Sequence, residues 1–198
     1  MSFRKEKKFR LSIYELQKLK SHLVNSGMQS LFNAREINSV YFDTSEMTMF
    51  HESEEGILPR KKIRVRWYDN EFLPTEEVKI SSFEGRFKTS TKTHQIKNIE
   101  ELFSLERFDS HYGLIKPVLF ISYKRTYFKY DHLRITFDEQ IEYSSIKSNK
   151  GAKIKDDECV VEVKTHINCS DDYIEKIIPL PTARFSKYSR GTILHSRY

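Results

Sequence analysis

Residues 60 to 68 read RKKIRVRWY. Side chains of an extended strand alternate between two faces, so Arg60, Lys62, Arg64 and Arg66 project one way, and Ile63, Val65 and Trp67 the other. Cations about 7 Å apart along one face repel: at an effective dielectric near 20 each neighbouring pair costs ~2 kcal/mol, against ~0.6 kcal/mol in bulk water. Such a face is either fully solvated or built to receive an anion carrying several charges.

The rest of the chain narrows that choice. At 198 residues, one domain over 1–198 with a proper core is expected. A content of 38% hydrophobic and 31% charged residues excludes a disordered chain. The net charge of +6 points to polyanionic partners: nucleic acid, nucleotides, polyphosphate or an anionic membrane surface. No apolar run approaches ~20 residues, so no membrane span is expected. The basic start MSFRKEKKFR lacks the apolar core of a secretory signal. Cys159 and Cys169 have neither metal-site spacing nor the density of a disulfide framework, which suits buried or idle thiols in a reducing cytoplasm.

Residues 3–10 alternate as a strand, with Arg4, Glu6, Lys8 and Arg10 opposite Phe3 and Phe9. Ser12 to about Asn25 is a helix: Ser12 and Glu15 have capping-box spacing, Leu11 and Leu16 can form a hydrophobic staple, and Gly27 follows as a stop. A short strand is expected over 38–43 and a polar stretch through Glu54-Glu55-Gly56, followed by the basic strand 60–68. Residues 75–81 place Glu77 with Lys79, and 85–93 place Arg86, Lys88 and Lys92 on one side. A helix is expected over 98–108 and a long strand over 118–130 with Tyr123, Arg125, Tyr127 and Lys129 in phase. Asp131-His132 is a tight turn into a strand over 133–139. A Ser/Lys/Gly/Asp-rich loop spans 144–158, then come a strand over 159–165, a short helix over 170–178 and a helical segment within 183–198.

At least six of these strands set a charged face against an apolar one. An open sheet with one wet face shows the same alternation, but such a face usually mixes Thr, Ser, Glu and Lys so that cross-strand pairs attract. Here arginine dominates, and its planar fork matches phosphate oxygens. The fold class expected is α+β, as a closed antiparallel β-barrel with a charged lumen and helices packed outside.

These residues resemble a known family. The pieces are Glu6-x-Lys8, SVYFDT at 39–44, the stretch from Glu55 through RVRWY to Tyr68, EVK at 77–79, GRFK at 85–88, YKRTYF at 123–128, LRITFDE at 133–139, VVEVK at 160–164 and RFSKYSRG at 184–191. Together they resemble the polyphosphate-polymerase domain of the vacuolar transporter chaperone (VTC) family, a branch of the CYTH or triphosphate tunnel metalloenzyme superfamily. The resemblance implies a closed eight-stranded antiparallel β-barrel, a tunnel that binds a nucleoside triphosphate or polyphosphate with Mn or Mg. It assigns catalysis to Lys8, Arg64, Arg66, Glu162 and Lys187, and substrate binding to Lys79, Lys88, Tyr123, Arg125, Arg134, Arg184 and Ser186, with Arg60 and Lys62 in phase. Glu162 would be the principal metal carboxylate, with Glu77 and Glu6 as further metal candidates. Arg4 stands where many superfamily members carry another glutamate, which weakens a metal site on the first strand.

Phosphoryl transfer is mostly positioning and charge neutralisation. On this reading Arg and Lys hold non-bridging oxygens, a divalent ion on Glu162 neutralises the phosphate in transit, and oxygen ligands favour Mg or Mn over zinc. The implied activity is a metal-dependent phosphotransferase of the polyphosphate-polymerase type, passing the γ-phosphate of a nucleoside triphosphate to a growing polyphosphate chain. With water as nucleophile the site would be an inorganic triphosphatase or polyphosphatase; without turnover it would be a polyphosphate-binding module. Glu162 also reads as a salt-bridge partner of Lys164, Glu77 as a partner of Lys79, and Asp138 as a turn-side acceptor or distant metal ligand. His51, His94, His111, His132 and His166 lack ligand spacing. Nucleic acid is a weaker partner, since no RNP-type or Gly-rich signature is present. A cytoplasmic chain without a span of its own would reach a membrane through a membrane-protein partner.

Overall fold

The computed structural model describes residues 4–146 and 153–196. The elements in chain order are β1 (Arg4–Ser12), α1 (Ile13–Asn25), β2 (Gln29–Asp43), α2 (Thr48–Glu55), β3 (Arg60–Tyr68), β4 (Glu71–Ser82), β5 (Gly85–Lys92), α3 (Ile99–Phe103), β6 (Arg107–Asp109), β7 (Gly113–Tyr130), β8 (Leu133–Ser145), β9 (Lys153–Lys155), β10 (Glu158–His166), α4 (Asp171–Ile177) and α5 (Lys187–Ser196). The class is α+β, built on a mostly antiparallel sheet. Hydrogen bonds order eight strands as β1-β10-β8-β7-β2-β3-β4-β5, with β6 on β7 and β9 on β8. This order is a path ending at β1 and β5, not a ring: the antiparallel strands meet the sequence expectation, while barrel closure is not part of the pairing.

The chain divides into two compact units: Met1–Arg35, Tyr123–Ile141 and Lys155–Phe185 form one, and Glu36–Ser122, Glu142–Ile154 and Ser186–Tyr198 the other. In the first, α1 starts on the expected capping box: the Ser12 hydroxyl accepts from the Glu15 N–H at 3.3 Å, and the Glu15 carboxylate accepts from the Ser12 N–H at 2.8 Å. Leu16, Leu19 and Leu23 of α1 and Ile174 of α4 pack on Phe9, Leu133, Ile135, Phe137, Val161 and Val163, the apolar face of β1, β8 and β10. The helices thus cover the apolar face and leave its charged opposite open to other work.

In the second unit Val40, Phe42, Ile63, Val65 and Trp67 form the matching apolar face with Met49 of α2 and Leu102 of α3. α5 lies close to its sheet at Gly191, where a Cβ would meet Tyr143 and Leu119.

Several boundaries move. β2 begins at Gln29, well before the expected 38, because the exposed residues 29–36 carry no apolar alternation. The polar stretch after it contains α2. The helix expected over 98–108 stops at Phe103, and Arg107–Asp109 pair with β7 instead. Of the loop expected over 144–158, residues 147–152 lie outside the described residues, as do residues 3, 197 and 198 of the terminal segments. Among the described residues no helix is long and apolar enough to cross a membrane.

Candidate functional site

In the second unit the registers of β3, β4 and β5 set Lys62, Lys79 and Lys88 directly side by side. Direct cross-strand neighbours have Cβ atoms about 5 Å apart, and two cations held at that distance repel by ~3 kcal/mol at an effective dielectric near 20. The same face carries Arg60, Arg64, Arg66, Arg86 and Lys92, with Glu77 as its acidic residue.

Glu77 organises this surface. Its Oε2 accepts from Arg64 Nε at 2.7 Å and from Arg64 Nη2, and lies 3.8 Å from Arg66 Nη1; its Oε1 accepts from Lys88 Nζ at 2.6 Å. Burial works against the charge, but Arg64, Arg66 and Lys88 outweigh it and hold the carboxyl down at about 2. Arg66 Nε donates to Ser39 Oγ at 3.1 Å and Lys62 Nζ to Ser186 Oγ at 3.0 Å. Arg64 and Arg66 are only 9% and 8% exposed, so these are fixed cations and not solvated surface ones. Lys79 is open to water, yet surrounding protein desolvates it and Arg64 and Arg66 repel it. Its ammonium is pulled down to about 8, with Tyr41 and Glu77 opposing the shift. Arg60 donates to the Ile57 carbonyl at 3.0 Å, and Lys187, half-buried, opens α5.

Two further residues of this unit belong to the site. Arg64 Nη1 donates to the Tyr41 hydroxyl at 2.7 Å. Burial disfavours the Tyr41 phenolate, but Arg64, Arg66 and Lys79 outweigh it and bring the phenol down to about 7. The Tyr41 ring stacks on Tyr188 at 4.9 Å, and the Tyr188 hydroxyl donates to the fully buried Asp43 at 2.5 Å. Sequence reading had Tyr41 and Tyr188 inside matched motifs but gave them no role. Tyr41 stands directly opposite Arg64 on β3, and only the strand register reveals that pairing.

The first unit carries a second charged face. Across β1, β10 and β8, Lys8, Glu162 and Thr136 form one rung and Glu6, Lys164 and Arg134 the next. Glu162 Oε1 is 2.6 Å from Lys164 Nζ, while Glu6 reaches Lys8 at 3.3 Å and Lys164 at 3.7 Å. Burial raises the Glu162 carboxyl, but Lys164, Arg125 and Lys8 outweigh it and hold it far below the usual carboxylate range. Lys8 Nζ also donates to the Phe185 carbonyl at 3.0 Å, and the Ala183 N–H to the Lys8 carbonyl at 2.8 Å, which ties the segment bearing exposed Arg184 to β1.

On β7, Arg125 forks onto Asp138, Nε to Oδ1 at 2.5 Å and Nη2 to Oδ2 at 2.7 Å. Asp138 is therefore an arginine acceptor, and two of the five N–H donors of Arg125 are committed to it. Tyr123 lies under the Arg125 guanidinium at 5.4 Å, and exposed Arg134 lies over Tyr127 at 5.7 Å.

Among the described residues no three His, Cys, Asp or Glu side chains converge as a metal cage. The oxygen donors of Glu162 and Glu6 still suit Mg or Mn, which take one or two carboxylates when substrate phosphates and water supply the rest. Glu77 is engaged by its three cations, so its oxygens serve them first.

Among curated proteins none matches this chain. Solved structures share its fold. A candidate adenylate cyclase from Bacillus halodurans aligns at TM-score 0.59 and 15% identity, covering 93% of this chain and 94% of that one. The PH1012 protein of Pyrococcus horikoshii aligns at 0.59 and 14%, covering 94% and 98%. A candidate adenylyl cyclase from Hippeastrum, described as having a dominant triphosphatase activity, aligns at 0.57 and 12%, covering 96% of each. The family model of the VTC domain matches residues 3–195, and by that match the chain belongs to the VTC domain family.

Proposed function

We propose that this chain is a metal-dependent phosphotransferase of the polyphosphate-polymerase type, passing the γ-phosphate of a nucleoside triphosphate to the end of a polyphosphate chain. The observation that carries this reading is the lysine rung Lys62–Lys79–Lys88 beside buried Arg64 and Arg66, a fixed excess of positive charge organised by one carboxylate. A linear polyphosphate offers several negative charges at regular spacing, which a single carboxylate cannot. Membership of the VTC domain family supports the same substrate class, and the eight-stranded barrel expected from sequence belongs to this proposal.

In this reading Arg64, Arg66, Lys79 and Lys88 hold non-bridging oxygens, with Lys62, Arg60, Ser186 and Lys187 beside them. Lys8, Tyr123, Arg125, Arg134 and Arg184 do the same on the other charged face. An oxygen of the acceptor's terminal phosphate attacks the γ-phosphorus in line, the bond to the bridging oxygen breaks, and nucleoside diphosphate leaves. Fixed cations that need no reorganisation as charge shifts are the protein's contribution to rate. Mn or Mg, held by Glu162 with Glu6 nearby, would neutralise charge at the phosphate in transit. The free thiols suit a reducing cytoplasm, and a membrane-protein partner would connect the product to a membrane.

A second reading, triphosphate hydrolysis on the same residues, is favoured by the activity described for the Hippeastrum protein. Incubating purified protein with ATP and Mn separates the two. Chain growth on a gel supports the polymerase; phosphate released from tripolyphosphate without growth supports the hydrolase. Tight tripolyphosphate binding with no turnover would overturn both and leave a binding module. Glu162→Gln is expected to abolish turnover while tripolyphosphate still binds.

A further inference from the structure

The turn joining β7 to β8 and the residues entering α4 bring together four side chains of the first unit that phosphoryl transfer does not use. Asp131, at φ 51 in the turn, accepts from the His132 ring at 2.8 Å and from the Tyr173 hydroxyl at 2.7 Å, both on Oδ2. The His132 ring stacks on Tyr173 with centroids 4.8 Å apart, so its plane is fixed as well as its edge. Its other nitrogen, Nε2, lies 3.5 Å from Cys169 Sγ. With Nδ1–H donated to Asp131, Nε2 carries a lone pair toward Cys169 Sγ, and the thiol also has the Ser170 carbonyl at 3.7 Å as an acceptor.

We propose that Cys169 is a nucleophilic thiol and a modification site for low-molecular-weight disulfides, with His132 as its proton acceptor and Asp131 as the positioning residue. Cys169 is half-buried, so a small disulfide can reach it. The thiol proton passes to His132 Nε2, and Asp131 stabilises the resulting imidazolium. The thiolate attacks one sulfur of the disulfide: a bond from Sγ to that sulfur forms, the original S–S bond breaks, and the other sulfur leaves with the electron pair and takes the proton. The small disulfide is itself the oxidant: its leaving sulfur is reduced to a thiol as Cys169 is oxidised to the mixed disulfide.

The surrounding charges fit this role. Lys5 Nζ donates to the Cys169 carbonyl at 2.5 Å, fixing the backbone that bears the thiol, and Lys5 and Lys7 both pair with Asp171 at 3.0 Å. Tyr173 keeps its proton, since its bond to Asp131 pushes it up to about 12. Tyr130, at the end of β7, is a further titratable neighbour of Tyr173, and the His166 carbonyl accepts from the Cys169 N–H at 3.1 Å. Cys159 supplies an internal control: it is buried and its thiol is pushed up to about 11 by desolvation, then by Glu139 and Asp156.

The experiment uses the intact chain and glutathione disulfide at pH 7, with peptide mapping by mass and rates compared with a free small thiol. The mixed disulfide is expected on Cys169 and not on Cys159, about threefold faster than on the free thiol, because His132 Nε2 stands in place to take the thiol proton as the sulfur attacks. His132→Asn should return the rate to that of the free thiol and alter the pH–rate profile. Reaction at the free-thiol rate in the unaltered protein, modification of Cys159 instead, or an unchanged profile in His132→Asn would each overturn the proposal. The first two outcomes are read without any substitution.

Discussion

Glu77 is shared by Arg64, Arg66 and Lys88, and that sharing has a pH signature. An ordinary glutamate sits at 4.5 and the folded one at about 2. The folded value is the lower, so stability from this charge is complete above the unfolded value and lost as pH falls through that window, on the order of 3 kcal/mol in all. Urea unfolding of the Glu77→Gln variant should show a flatter stability profile between about pH 5 and pH 2 than the unaltered protein. Lys79 works in the opposite chemical direction. Its ammonium, ordinarily at 10.5, lies at about 8 because protein and neighbouring guanidinium groups disfavour another cation. A bound polyanion restores the charged form, so tripolyphosphate binding at about pH 8.5 should take up protons, seen as a binding enthalpy that changes with the buffer's ionisation heat. Lys79→Met should remove that dependence; if it persists, another group takes the proton. The alternation of TEEVKIS made Glu77 and Lys79 legible as facing one way. Tyr41 was not, because its partner Arg64 lies 23 residues away.

Strands with strict alternation were the readable elements. The basic strand was expected over 60–68 and observed there, since period-two patterning needs no knowledge of the partner strand. α2 was hidden for a physical reason. Its N-cap residue Met47 makes no side-chain cap bond; instead Asp43, at the end of β2, accepts from the N–H groups of Met49 at 2.9 Å and Phe50 at 3.0 Å. Thr44 Oγ1 takes the Thr48 N–H at 3.0 Å. Capping from the preceding strand has no fixed spacing to search for. Asp43→Ala should therefore free two helix N–H groups and the buried Tyr188 hydroxyl together, at a cost of about 2–4 kcal/mol. For a chain of this length that is a fall in Tm of at least ~4 °C by calorimetry. A variant melting within a degree of the parent would show that water or Thr44 replaces the carboxylate.

For the molecule as a whole, 34 basic against 28 acidic residues is a modest excess. The excess becomes functional where strand register gathers it on one face, while acidic residues elsewhere pair off, as Asp109 does with Lys61. A ligand bound only by the folded state raises stability by about 2.7 kcal/mol at 100 times its Kd. Tripolyphosphate should thus raise Tm. The rise should shrink between about 0.05 M and 0.5 M salt, because the partly exposed lysines are screened over a Debye length that falls from over ~10 Å to under ~5 Å. A rise unaffected by salt would point to a binding mode that does not depend on these charges. The α+β class and helices laid on apolar faces were visible from sequence because each strand declares its own two faces. The order in which strands join was not, since pairing partners lie far apart along the chain.

β2, β7 and β8 each run from one compact unit into the other, and each unit is stitched from three separate stretches of chain. No single cut in the gene yields either half as one continuous polypeptide. Domain shuffling is closed to this architecture, and new sequence is best accommodated at hairpin tips such as Phe83-Glu84, where an insertion interrupts no strand.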